Sequence, residues 1–218
     1  MDKAKRYLIF LMGLFFSSLG VSVITKAALG TSPISSIPYV LSLNYPFTLG
    51  EFTVVFSVFL VALQLLILRR NFRAEHVLQI PISFLFGWFI DLTMALLAFQ
   101  MPQNYALELL LLLVGCAVLG FGVYLEVVAD VAMLPGESFV RAVSTTWHTE
   151  FGVTKICFDV SMAVMAAAFS LVKTGQVAGV REGTIIAALL VGYIARVLRR
   201  RLHLFDALLA PPAAPAHQ

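Results

Sequence analysis

Charge is what this sequence has least of. Only 12% of its 218 residues are Asp, Glu, Lys or Arg, against 60% that are hydrophobic, and the mean hydropathy is +0.93. A soluble domain of this length exposes most of its residues somewhere on its surface, so it could not hide so much apolar area. Cysteine is scarce as well. Cys116 and Cys157 both fall inside apolar runs, where they read as small buried residues and not as a disulfide or metal pair. The four histidines are scattered without ligand spacing. Also missing are a phosphate-binding glycine loop, an HExxH motif, a nucleophile elbow and an ATP-hydrolysing domain. These absences argue against an enzyme, and no cofactor or metal is expected. The pI near 9.0 follows from basic clusters between apolar runs, so no nucleic-acid partner is implied.

What fills the chain is a series of apolar stretches of membrane-crossing length, set by a hydrocarbon core roughly 30 Å thick. They predict an all-α polytopic membrane protein with six spans, at about 7–25, 52–68, 78–99, 106–128, 153–172 and 183–198. Continuous apolar runs, in place of alternating ones, exclude a β-barrel. Lys3, Lys5, Arg6, Arg69, Arg70, Arg73, Arg141, Lys155 and Arg199–Arg201 then fall on one side, with Lys26, Lys173 and Arg181 on the other. The positive-inside rule makes the first side cytoplasmic and puts both termini there. An eight-span count would turn the Arg69–Arg73 cluster outward. Residues 202–218, ending "APPAAPAHQ", read as a disordered cytoplasmic tail.

Two pieces fit no span: "GTSPISSIPYVLS" and "MLPGESFVRAVS", with short helices expected over about 33–43 and 136–147. They occupy equivalent places in an internal repeat. At a constant offset of 102 residues Gly13, Gly20, Pro33, Ser36, Ser42 and Gly50 meet Gly115, Gly122, Pro135, Ser138, Ser144 and Gly152. The last span of each half aligns through Leu85/Leu190 and Gly87/Gly192. Matching Pro and Gly positions carry weight because those residues fix backbone shape. Residues 1–103 and 104–201 are therefore expected to be two copies of a three-span unit, with N-terminal segment 7–25 the counterpart of a later span and not a cleaved signal. An odd number of crossings makes the copies inverted, an arrangement recurrent in transporters. Each broken piece would be a re-entrant half-helix. In the first, Thr31 or Ser32 would cap, Pro33 would be the first helical residue, and Pro38 would bend or end the helix. The alternative is an interfacial helix lying on the bilayer.

Charges inside spans cost about 2.5–3.5 kcal/mol each at mid-helix and need a reason. Asp91, in "FGWFIDLTM", is the strongest candidate for a relay or substrate-binding carboxylate; the alternative is a bond to a neighbouring helix's hydroxyl. The hydroxyls Thr31, Ser32, Ser35 and Ser36, with Glu137 and Ser138 at the second broken piece, complete the expected substrate-binding set. Lys26, Glu126, Asp130, Arg141, Asp159 and Arg196 are candidates for gating or ion pairing. Glu126 and Asp130, one turn apart, would share a helix face, and Arg196 is the repeat counterpart of Asp91.

"KAALGTSPISSIPYVLS", then "FTLGEFTVVFSVFLVALQLLI" and "ISFLFGWFIDL", resembles the YczE/YyaS/YitT family of bacterial integral membrane proteins. Gly30-Thr31-Ser32-Pro33 and Gly50 are its most specific part, and the likeness extends to about residue 200. It implies membrane location and architecture and supplies no catalytic residues. The second half departs from the pattern at Met133-Leu134-Pro135-Gly136, where the hydroxyl cap is missing. The expected function is a small transporter or exporter of an unidentified solute, its path running between the repeats at the half-helix N-termini. The rival is a non-transporting scaffold or accessory subunit; a membrane enzyme comes third. Expected partners are the lipid bilayer and the solute, with a homo-oligomer left open.

Overall fold

The computed structural model describes residues 3–69, 74–97 and 104–201, and every regular element among them is helical. In chain order these are α1 (Lys3–Lys26), a 3-10 turn (Pro33–Ser35) leading into α2 (Ser36–Asn44), α3 (Leu49–Leu68), a short α4 (Ala74–Val77), α5 (Gln79–Leu96), α6 (Tyr105–Ala129), α7 (Pro135–Trp147), α8 (Phe151–Thr174) and α9 (Glu182–Arg201). Of these, α1, α3, α5, α6 and α8 are long and apolar enough to cross a membrane. α9 has the length, but Glu182, Arg196 and Arg199–Arg201 dilute its apolar stretch, and composition alone does not make it a sixth. Arg70 and Arg73, on which the expected orientation partly rests, and the 202–218 tail lie outside the described residues.

The ends follow local chemistry. Thr48 starts α3 with a capping box: its hydroxyl accepts from the Glu51 N–H while the Glu51 carboxylate accepts from the Thr48 N–H, so α3 begins three residues before the expected boundary. Asn104 caps α6, and Gly175 closes α8 in the left-handed conformation. Pro38 neither ends nor interrupts α2. It is the third residue of that helix, in the first turn, where its missing N–H has no partner to lose.

α1 is the central helix. Its apolar stretch is 67% buried, against 22–33% for the other four spans. It packs chiefly on α6, and the two run antiparallel: Gly13 lies against Glu126, Ser17 against Gly122, Gly20 against Leu119 and Ile24 against Gly115. Without side chains at these glycines the backbones approach closely, and dispersion across that seam is what binds helices where lipid is as apolar as leucine. Around the pair, α5 leans on α1 and α9 on α6; α3 packs on α5 and α7; α8 packs on α2 and α7. The buried core threads α1, α5 and α6 through Leu14, Ile24, Ile90, Leu112 and Cys116. The periphery is apolar and bare: Val55 on α3, Leu66, Val172 on α8, and Ile185, Leu189 and Tyr193 on α9 are all more than half exposed. Exposed apolar area this extensive belongs against lipid.

Candidate functional site

The two short helices meet tip to tip. Gly136, the second residue of α7, packs on the Ile34 side chain in the 3-10 turn ahead of α2, so closely that any side chain at 136 would collide with it. The contact is backed by Leu60, Val140, Phe158 and Met162 with Ile37 and Phe139, and these neighbours are all apolar.

At the first tip, Ser32 is the N-cap and Pro33 the first helical residue, yet the Ser32 hydroxyl does not cap the helix; it donates to Ser35 Oγ at 2.9 Å. Ser36 donates back to Pro33 O at 2.7 Å, and Thr31 and Thr25 share a bond of 3.0 Å. Thr25, Thr31, Ser32, Ser35 and Ser36 are all buried. The start of α9 covers them: Gly183 N–H donates to Leu29 O at 2.9 Å, and Thr184 stands beside Gly30, whose φ of +113° suits glycine. The Thr184 hydroxyl is buried without a hydrogen-bond partner. Arg181 reaches over this rim to Ala28 O at 3.1 Å, and Lys26 ends α1 nearby.

The second tip is built differently. Leu134 precedes Pro135 and supplies no cap; the polar groups come from two glutamines that the sequence reading did not single out. Gln64 on α3 donates to Pro135 O at 3.1 Å, Gln79 on α5 donates to Ser138 Oγ at 2.8 Å, Ser138 donates to Gln64 Oε1 at 2.9 Å, and the two amides bond each other. All three side chains are buried. A lone glutamine in each of two apolar stretches, "LVALQLLIL" and "HVLQIPIS", was the available signal. At the places matching them in the expected repeat the chain has Ala166 and Thr184.

The charged candidates separate into three places. Asp91 lies at the α3–α5 contact, where its carboxylate accepts from Thr48 Oγ1 at 2.7 Å and from Gly50 N–H at 2.9 Å, tying the first turn of α3 to α5. With Glu51 it lines one end of an open apolar groove of about 530 Å³ that includes Val55, Phe84 and Trp88. It makes no hydrogen bond to either tip. Glu126 is buried under α1, where Ser17 donates to it at 2.5 Å. Glu137, in the first turn of α7, is half-buried and within electrostatic reach of Glu126 and of Lys155 and Asp159, which pair at 2.6 Å on α8. Asp130 does not share a buried face with Glu126: α6 ends at Ala129, and Asp130 is its exposed left-handed C-cap. Arg141 is exposed and touches Met133 Sδ at 3.5 Å, and Arg196 is exposed near the end of α9 with no ion pair. Among the described residues no cluster of His, Cys, Asp and Glu has the makings of a metal site.

The pattern of spans and tips can be set beside known proteins. The family model of DUF6198, a family of unknown function, matches residues 4–200. The chain belongs to the DUF6198 family. It is also 26% identical over 194 residues to the protein named "Uncharacterized membrane protein YczE" of Bacillus subtilis (strain 168), covering 88% of this chain and 84% of that one. The YczE-like resemblance therefore holds over most of the chain. No solved structure matches this chain.

Proposed function

We propose that this DUF6198 protein is a six-span carrier of a small solute in the bacterial inner membrane, with two inverted halves, both termini cytoplasmic, and a route passing between the short-helix tips. The observation that carries the reading is the tip-to-tip contact of Gly136 and Ile34, in which the start of one short helix touches the start of the other; the inverted reading has them enter from opposite sides. Irregular backbone at membrane depth persists only where protein or a wet cavity surrounds it. Half-helix N-termini with hydroxyls around them suit an anionic or carbonyl-bearing solute, with Thr31, Ser32, Ser35 and Ser36 on one side and Ser138 with Glu137 on the other.

Two further facts support inversion. The α1–α6 seam maps onto itself under the 102-residue shift: Gly13 against Glu126 becomes Gly115 against Ile24, and Gly20 against Leu119 becomes Gly122 against Ser17. The larger packing also exchanges in pairs, α2 on α8 with α7 on α3, and α1 on α5 with α6 on α9. A sixth crossing by α9 is supported by its outward row Ile185, Leu189 and Tyr193, four residues apart, with the arginines at its end anchoring at the headgroups.

A second reading has its own support. The space where the tips meet is filled by Ile34, Leu60, Val140, Phe158 and Met162, as in a scaffold that passes no solute. Purified protein in liposomes separates the two. Screening a panel of small carboxylates, phosphate and neutral solutes by uptake should find at least one entering faster than into empty liposomes. Thr31→Val with Ser36→Ala should then lower that flux about tenfold, and Asp91→Asn tests whether the carboxylate's charge takes part. No flux across the whole panel leaves the scaffold reading standing.

A further inference from the structure

The two halves share sequence and seam, but they are in different states. In the first half α3 and α5 are clasped. The backbone of Gly50 rests on Gly87, and Asp91 bridges to Thr48 and to the Gly50 N–H. The corresponding helices of the second half, α8 and α9, do not pack together, although every other major contact of the first half has its counterpart. The equivalent glycines are present and idle: nothing lies within 4 Å of a Cβ built at Gly192, and at Gly152 only the Glu150 side chain of its own helix start, 3.7 Å away. The latch positions are filled as well. Glu150 stands where the first half has Thr48, and Arg196 where it has Asp91. Both are exposed; the Glu150 side chain makes no cap bond, and neither residue is in an ion pair.

We propose that α8 and α9 close on each other through Gly152 and Gly192, latched by a Glu150–Arg196 ion pair, and that this closure alternates with opening of the α3–α5 clasp. The inference rests on the inverted-repeat reading and deepens it. Glycine at a position with open space around it gains nothing from smallness in the state seen here, and in a helix it is costly relative to alanine. Opposite charges at the two latch positions, unpaired, one at the start of α8 and the other towards the end of α9, are what a closed state would use; an Arg–carboxylate pair is the strongest such contact available. Because Glu150 begins α8 and Arg196 is near the end of α9, this gate belongs to the face carrying Lys3 and Arg199–Arg201, whereas the clasp at Thr48 and Asp91 belongs to the opposite face. Exchange of the two arrangements opens one face as it shuts the other, using two discrete packings of the same unit.

The test needs no knowledge of the solute. In a Cys116→Ala, Cys157→Ser background in liposomes, the pair Gly152→Cys and Gly192→Cys should cross-link under copper–phenanthroline. A third cysteine, Thr53→Cys, buried one turn below the clasp, reports the other face through an impermeant maleimide. Its labelling should rise about tenfold once the pair is oxidised and reduced again only when dithiothreitol reopens it. Gly192→Leu, which meets nothing in the present arrangement, should leave expression and helicity unchanged but lower Thr53→Cys labelling, by holding α8 and α9 apart. A Glu150→Arg, Arg196→Glu double swap should cross-link better than either single change. Absence of the cross-link, or a cross-link that leaves Thr53→Cys labelling as it was, overturns the gate while flux could still be measured; a coupled cross-link without flux for any solute would sink the carrier reading and leave the gate intact.

Discussion

At the scale of single residues, position in the fold decides what a carboxylate can do. Asp91 and Glu126 are both acidic groups in apolar helices, yet one faces a groove and receives a hydroxyl and a backbone N–H, while the other lies under α1 with a single serine donor. Asp91 acts as a side-chain acceptor for the first turn of a helix other than its own. Removing it leaves the Gly50 N–H without a partner, and an orphaned donor costs about 1–3 kcal/mol. Asp91→Ala should therefore lower the thermal midpoint in detergent by several degrees. Asp91→Asn retains an oxygen for the Gly50 N–H and should lose less than half as much. Equal losses for the two variants, read by a thiol-dye melting assay, would show that charge and not acceptance holds the clasp. From the sequence Asp91 outranked Glu126, because hydropathy locates a charge along a span but says nothing about which face of the helix meets protein. The burial of Glu126 depends on Gly13 and Gly122 bringing α1 over it.

At the scale of elements, the seam between α1 and α6 is the structural commitment on which the rest depends. Gly20 sits directly on the backbone of Leu119, so Gly20→Leu must push the two central helices apart. Overpacking of this kind costs about 1–3 kcal/mol where side chains can yield and more where backbone is the obstacle; the variant should be lost from the monodisperse peak in size-exclusion chromatography. Gly192→Leu is the internal control, with the same change on an exposed helix face and an unchanged elution profile. The long helices were legible in the sequence because bilayer thickness fixes their length, and the short ones because Pro33 and Pro135 mark their starts. Pro38 was misleading. Proline ends a helix from its interior but is harmless in the first turn, and which of the two applies depends on where the 3-10 turn gives way to α2. The glutamine plug of the second tip stayed hidden for a related reason: Gln64 and Gln79 lie on different helices, and only the packing of α3, α5 and α7 brings the two amides to each other and to Pro135 and Ser138.

At the scale of the whole molecule, the decisive property is orientation. Glycines and prolines matching at a 102-residue offset are what the sequence offers for a repeat, and an antiparallel α1–α6 seam is what two inverted copies would make, since a half-turn about an axis in the membrane plane reverses a helix as it carries one copy onto the other. The difference between α3–α5 and α8–α9 could not be read from sequence, because both pairs carry glycines at matching positions and only the packing shows that Gly50 and Gly87 touch while Gly152 and Gly192 do not. Ser42, late in α2, and Ser144, late in α7, stand 102 residues apart at the far ends of the two short helices. If each short helix enters from its own face and turns its tip toward the other, those ends point to opposite aqueous compartments. Single cysteines at the two positions, in the background without native cysteines, should differ in sidedness in right-side-out vesicles: Ser42→Cys labelled by an impermeant maleimide added outside, Ser144→Cys labelled only after the vesicles are opened. Interfacial helices on a single face would label together, and so would two halves inserted in the same sense. Either result would remove the inversion and with it the reason to run a solute route past the contact of the two tips.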